Sequence, residues 1–173
     1  MGQTTFSGPV KSLGGFNAVG YNCEVTIADG TDDLTLDADT HGGRILYLLD
    51  ASMAFTLPSI VATAPSLPST ANSPDQTCNL GLTFSIYCAI AQTTFSLTTA
   101  TDDNFVGIYA CLHETTNETD HFFADGDDDV MSMNGTTQGG LIDSYIEVTA
   151  TTRGWLCSKS IPLGSGNLIT PFS

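Results

Sequence analysis

The sequence predicts an all-β protein: a compact antiparallel β-sandwich or barrel-like domain with an extended N-terminal arm. Three observations predict it. Fifteen Asp stand against four Glu, two Lys and two Arg, whereas helical surfaces are built from Glu, Lys, Gln and Arg. The polar surface comes instead from Thr, Ser, Asp, Asn and Gly, which favour strands and turns. Period-two alternation dominates from Asn22 onward, and no apolar pattern at i, i+3, i+4, i+7 is sustained. The alternating runs are short and separated by Gly, Asp and Asn, as in a sandwich or small barrel. A chain of 173 residues holds one such domain, residues 22–173, behind an arm at residues 1–21.

The elements follow in order. Residues 1–20 are rich in Gly, Ser and Thr with scattered Phe, and form no stable element alone. Cys23, Val25 and Ile27 then alternate with Glu24 and Thr26, and Leu34 and Leu36 alternate with Asp33, Thr35 and Asp37. Arg44–Leu49 is apolar on both faces, which predicts a fully buried strand. Phe55 and Leu57 make a short strand stopped by Pro58. Ile60–Thr77, with three prolines and no periodicity, is a long contact loop. Leu82–Ile90 is the clearest strand, with Leu82, Phe84, Ile86, Cys88 and Ile90 on one face. Strands follow at Phe95–Leu97, Phe105–Cys111, Val130–Met133, Tyr145–Thr149 and Trp155–Ser160. Leu112–His121 reads as a polar loop. Acidic clusters precede strands at Thr31–Leu34, Thr101–Asn104 and Asp127–Val130; they are reused turn chemistry, too irregular for a repeat architecture.

The net charge of −15 excludes function classes. Nucleic-acid backbones are bound by basic side chains that displace counterions, and anionic membrane surfaces attract basic segments. Neither partner is expected. No apolar run approaches the roughly 18 residues of a membrane span, and the N-terminus lacks the basic and apolar regions of a secretory signal. The five Cys, at positions 23, 78, 88, 111 and 157, are odd in number and lack C-x-x-C spacing. They are expected as free, buried small hydrophobes in a protein folded in a reducing cytoplasm.

The search for chemistry returns no catalytic residue, no cofactor and no metal site. His41 sits in a turn signature, and His113 and His121 bracket the polar loop. All three are expected as surface-loop residues without zinc-ligand spacing. Asp125–Asp129 offers hard oxygen ligands, but the EF-hand pattern is absent, which favours a solvated acidic turn over a calcium site. Gly164-Ser165-Gly166 lacks the context of a nucleophile elbow, and no phosphate-binding loop or H-E-x-x-H occurs. The chain is not expected to be an enzyme.

Four segments carry a resemblance: T-T-F-S-G-P-V-K-S-L-x-G-F at Thr4–Phe16, H-G-G-R-I-L-Y-L-L-D at His41–Asp50, M-N-G-T-T-Q-G-G-L at Met133–Leu141, and L-G-S-G-N-L-I-T-P-F at Leu163–Phe172. Together they resemble small virion proteins of tailed bacteriophages, marine ones especially, of the head decoration (cement) type. The resemblance implies a protein on the outer capsid surface, folded in the host cytoplasm before assembly. It also implies a homotrimer that bridges major capsid proteins. The arm would be the capsid-docking element, through Thr5, Phe6, Pro9, Val10, Lys11, Leu13 and Phe16. The apolar C-terminus, with Ile169, Pro171 and Phe172, packs either on an oligomer neighbour or on its own body. The alternative is a fibre or spike component that binds a host receptor or glycan. The arm contains no acid and one Lys, so the charge belongs to the body.

Overall fold

Alternation sends every second residue of a strand to one face, so each short run here can wall a core on one side only. The computed structural model describes residues 24–27, 33–38, 40–61, 79–116 and 118–173. The predicted arm, Cys23, Cys78 and residues 62–77 of the proline-rich stretch lie outside the described residues. All twelve regular elements within them are strands. These are β1 (Glu24–Ile27), β2 (Asp33–Thr35), β3 (Ile45–Leu48), β4 (Ser52–Thr56), β5 (Thr83–Cys88) and β6 (Thr94–Thr98). They continue with β7 (Phe105–His113), β8 (Thr119–Ala124), β9 (Val130–Met133), β10 (Tyr145–Thr151), β11 (Gly154–Ile161) and β12 (Leu163–Gly164).

The strands form two sheets packed together. The larger has the order β1-β3-β5-β10-β11-β7-β12, with β8 on the other edge of β7, and the smaller has the order β2-β4-β6-β9. The expected antiparallel architecture is corrected here: six of the ten strand pairings are parallel. The first half of the chain is a coil. It places β1, β3 and β5 side by side in one sheet and β2, β4 and β6 side by side in the other. Each parallel crossover therefore runs through a strand of the opposite sheet, which supplies the length that a parallel connection needs.

The coil has a regular register. Glu24 pairs with Ile45 and Asp33 with Ala54, an offset of 21 residues in both sheets. The next offsets are 40 residues, Ile45 to Ser85, and 42, Ser52 to Thr94. The difference is an insertion between β4 and β5, which overlaps the proline-rich segment. Its two ends are clasped. Val61 N–H donates to Asn79 Oδ1 (2.8 Å), Asn79 Nδ2 donates to the Ser59 carbonyl (2.8 Å), and Asn79 N–H donates to the Val61 carbonyl (3.3 Å).

The second half closes the coil with antiparallel strands. β10 pairs with β5, and β9 pairs with β6. The outer edge of β9 is covered by the C-terminus: Val130 N–H donates to the Ser173 carbonyl, Ser173 N–H to the Val130 carbonyl, and Ser132 N–H to the Pro171 carbonyl. β8 begins inside Leu112–His121, the segment expected as a polar loop, and runs past it to Ala124. Its alternation is masked because Thr119, Asp120 and His121 are exposed while Phe122 and Ala124 pack inward.

One core lies between the sheets. Leu46, Leu48, Phe84, Ile86, Ile146 and Val148 face it from the larger sheet, and Met53, Phe55, Phe95, Leu97, Met131 and Met133 from the smaller. Phe84 and Trp155 pack with ring centroids 5.6 Å apart, and Phe55 meets Phe95 edge to face at 5.6 Å. Such pairs add to the area they bury. Only one face of Arg44–Leu49 is buried, contrary to expectation: Ile45 and Leu49 are exposed on the outside of the larger sheet.

Candidate interaction surfaces

Parallel, in-register coils stack equivalent side chains on one another, at about 4.8 Å between strands. On the outer face of the larger sheet this aligns Tyr47 with Tyr87, and the antiparallel β10 and β11 extend the row. Tyr47, Tyr87, Tyr145 and Ile161 are successive register partners across β3, β5, β10 and β11. The Tyr47 and Tyr87 rings stack, with centroids 5.1 Å apart and planes 21° from parallel. The Tyr87 hydroxyl donates to Asp143 Oδ1. That bond, with burial and the Asp143 charge behind it, pushes the Tyr87 phenol up to about 12. The row is flanked by exposed Ile45 and Leu49 and ends on Ile161, 53% exposed. Farther along the sheet, Ile108 and Phe123 are register partners on β7 and β8, 46% and 67% exposed.

A second row, Ile45–Ser85–Glu147–Lys159, runs beside the first. A bulge in β11 after Cys157 brings both Ser158 and Lys159 to Glu147. Lys159 Nζ donates to Glu147 Oε2 (3.2 Å), Ser158 Oγ to Oε1 (3.0 Å) and Tyr145 Oη to Oε2 (3.1 Å). Burial pushes the Glu147 carboxyl up, but the hydrogen bonds from Ser158, Lys159 and Tyr145 outweigh it and hold it below the usual carboxylate range. The acid is thereby held as an anion beside the aromatic row. No sequence motif marks this network. The signal that could have found the row is the matched I-L-Y-L and S-I-Y-C segments at Ile45–Leu48 and Ser85–Cys88.

The residues singled out from sequence fall as follows. Thr5, Phe6, Pro9, Val10, Lys11, Leu13 and Phe16 lie outside the described residues. Phe172 is 6% exposed and packs on Phe105 and Tyr109, with centroids 6.1 and 5.9 Å away. Pro171 is buried beside it, and Ile169 is exposed. His41 is buried, not on the surface as expected: its Nδ1 accepts the Asp37 N–H (2.9 Å), closing the turn before β3. His113 and His121, expected in a surface loop, lie instead on strands β7 and β8, His113 half-buried and His121 exposed. Cys88, Cys111 and Cys157 are free and buried, and burial pushes their thiols up to about 12, 11 and 12. At the acidic turn, a hydrogen bond between the Asp125 and Asp127 carboxyls holds Asp125 below and Asp127 above the usual range. Among the described residues, no three His, Cys, Asp or Glu side chains converge on a metal-sized site, and no helix is long and apolar enough to cross a membrane. No family model, curated protein or solved structure matches the chain.

Proposed function

We propose that the chain is a structural virion protein, a decoration (cement) protein that sits on the outer surface of a phage head and stabilises the lattice of the major capsid protein. In this reading a two-sheet sandwich body, assembled as a homotrimer, carries an arm that docks on the capsid through the Thr5–Phe16 segment. The observation that supports it in the body is the row Tyr47–Tyr87–Tyr145–Ile161 with its flanking Ile45 and Leu49. Protein interfaces are enriched in Tyr and depleted of charge at their centres, and here two adjacent acids are already engaged, Glu147 by Lys159 and Asp143 by the Tyr87 hydroxyl. A decorating protein strengthens a head by mass action, because it binds the assembled lattice and not the free subunits.

The test is addition of purified protein to expanded, undecorated heads, followed by particle reconstruction. Wild type adds density at regular lattice positions. Removal of residues 1–16 abolishes that density while the truncated protein keeps its fold and oligomeric state. Undiminished decoration by the truncated protein would sink the docking-arm reading, and failure of intact protein to bind heads would sink the decoration reading.

A further inference from the structure

The larger sheet ends in a bare edge. β8 pairs with β7 on one side, and among the described residues no strand pairs with its other side. The ladder shows which backbone groups face that side. Successive residues of a strand direct their N–H and C=O groups alternately to its two sides. His113 N–H donates to the Glu118 carbonyl (2.9 Å). Leu112 N–H donates to the Pro162 carbonyl (2.9 Å) and Ala110 N–H to Ser160 Oγ (2.7 Å), both on the far side of β7. The odd-numbered residues of β7 therefore bond to the even-numbered residues of β8, and Thr119, His121 and Phe123 turn their N–H and C=O groups outward.

Proteins blunt such edges with Lys, Pro, bulges or a covering segment. Here the β9 edge of the smaller sheet is covered by the C-terminal residues Pro171 and Ser173. β8 is not protected in these ways. Its six residues hold an unbroken register and include no Lys or Pro. It also carries Phe123, 67% exposed and the most exposed large apolar side chain among the described residues.

The edge is complementary to itself. A two-fold axis through His121 sets His121 opposite its twin and Thr119 opposite the partner's Phe123. This is the one register in which all three outward residues meet outward residues, through six backbone hydrogen bonds. Like charges directly opposite one another destabilise a strand pair, and here no acid opposes an acid: Asp120 meets the partner's Phe122, and Glu118 the partner's Ala124. An axis through Asp120 would oppose two Asp120 carboxylates, and one through Thr119 would set Asp120 against the partner's Glu118. An axis through Phe122 would send Thr119 to the partner's Asp125, whose N–H is already taken by Asp128 Oδ2 (2.9 Å). Within one copy, Ile108 is the register partner of Phe123 and Leu112 that of Thr119. The two-fold register joins these pairs into one outer-face row, in which Phe123 lies between its own Ile108 and the partner's Thr119.

We infer that β8 is a self-association edge: it pairs antiparallel with β8 of a second copy across a two-fold axis through His121, which continues the larger sheet from one body into the next. The contact is isologous and involves neither the arm nor a capsid. In a trimeric assembly it would join one trimer to another. A contact of one strand is small, so the pairing is weak and concentration-dependent.

The test uses full-length protein at pH 8, above the range in which histidine ordinarily gains its charge. Sedimentation equilibrium of wild type should show a mass that doubles as concentration rises. His121→Cys should form an intermolecular disulfide under mild oxidation, located by peptide mass spectrometry between the two substituted positions. Opposed residues in such a pair lie about 5.5 Å apart, within the disulfide range of about 4.4–6.8 Å. Thr119→Cys, exposed on the same face, would lie roughly 15 Å from its twin in this register and should not link to it. Phe123→Lys and His121→Glu should each weaken the association at least roughly tenfold, with thermal melts confirming that the variants are folded. A mass independent of concentration, linkage by Thr119→Cys as ready as by His121→Cys, or undiminished association of both charged variants overturns the assignment. No head enters the assay, so its outcome is separate from that of the decoration test.

Discussion

Tyr47 and Tyr87, 40 residues apart, occupy matched positions on adjacent parallel strands and stack with ring centroids 5.1 Å apart. That contact is the clearest mark of the coiled path. Two successive turns of chain present the same residue at the same point, and the insertion between them does not disturb the register.

The insertion is accordingly expected to be separable from the fold. The hydrogen bonds between Val61, Ser59 and Asn79 hold its ends together, and loop length costs little closure entropy. Replacing residues 62–78 with a short Gly-Ser connection should change the melting temperature by no more than a few degrees. A collapse of the cooperative melt would show that the coil depends on the insertion.

Leu46 is wholly buried between the sheets on β3. Leu46→Ala should lower unfolding free energy by about 2–5 kcal/mol, read by urea denaturation. Ile45→Ala, on the outer face of the same strand, should cost less than about 1 kcal/mol.

Two glycines separate backbone strain from steric collision. Gly135 has φ +70° and a Cβ there would lie 2.3 Å from the Gln92 carbonyl oxygen, whereas Gly126 has φ +102° and open space around it. Gly126→Ala should therefore cost only left-handed strain, about 1–2 kcal/mol. Gly135→Ala should cost distinctly more, because backbone must also move. Equal losses in denaturant titrations would contradict this.

Glu147 links stability to pH. Its folded carboxyl is held below its ordinary value of 4.5, so the native state binds that proton less readily than the unfolded chain. The stabilisation is present above pH 4.5 and fades as pH falls through the lower, folded value. Glu147→Gln should be less stable than wild type at pH 7, and the gap should narrow on acidification below about pH 4. Parallel stability curves for the two proteins would show that Glu147 is not the titrating group.

Cys88, Cys111 and Cys157 should resist alkylation in the native state at pH 8, because burial disfavours the thiolate that reacts. Peptide mass spectrometry after iodoacetamide treatment should find these three modified only in denaturant.

Local pattern alone determined the strand content and much of the core. Alternation at Leu82–Ile90 named Phe84, Ile86 and Cys88 as one face, and all three are buried. Burial of the free cysteines at 88, 111 and 157 was legible in the same way, since each sits at an inward position of a strand. β8 was not legible, because Thr119, Asp120 and His121 are polar and exposed, Phe123 is apolar but points outward, and only Phe122 and Ala124 pack inward. His41 was misplaced because a turn motif records backbone shape and not what packs over it. The direction of pairing was likewise beyond the sequence. A residue alternates identically in a parallel and an antiparallel ladder, so nothing local distinguishes a hairpin meander from a coil whose strands alternate between two sheets. The outer surface of the larger sheet depends on that choice. The tyrosine row combines residues from β3, β5, β10 and β11, and only the register of the folded chain sets them side by side.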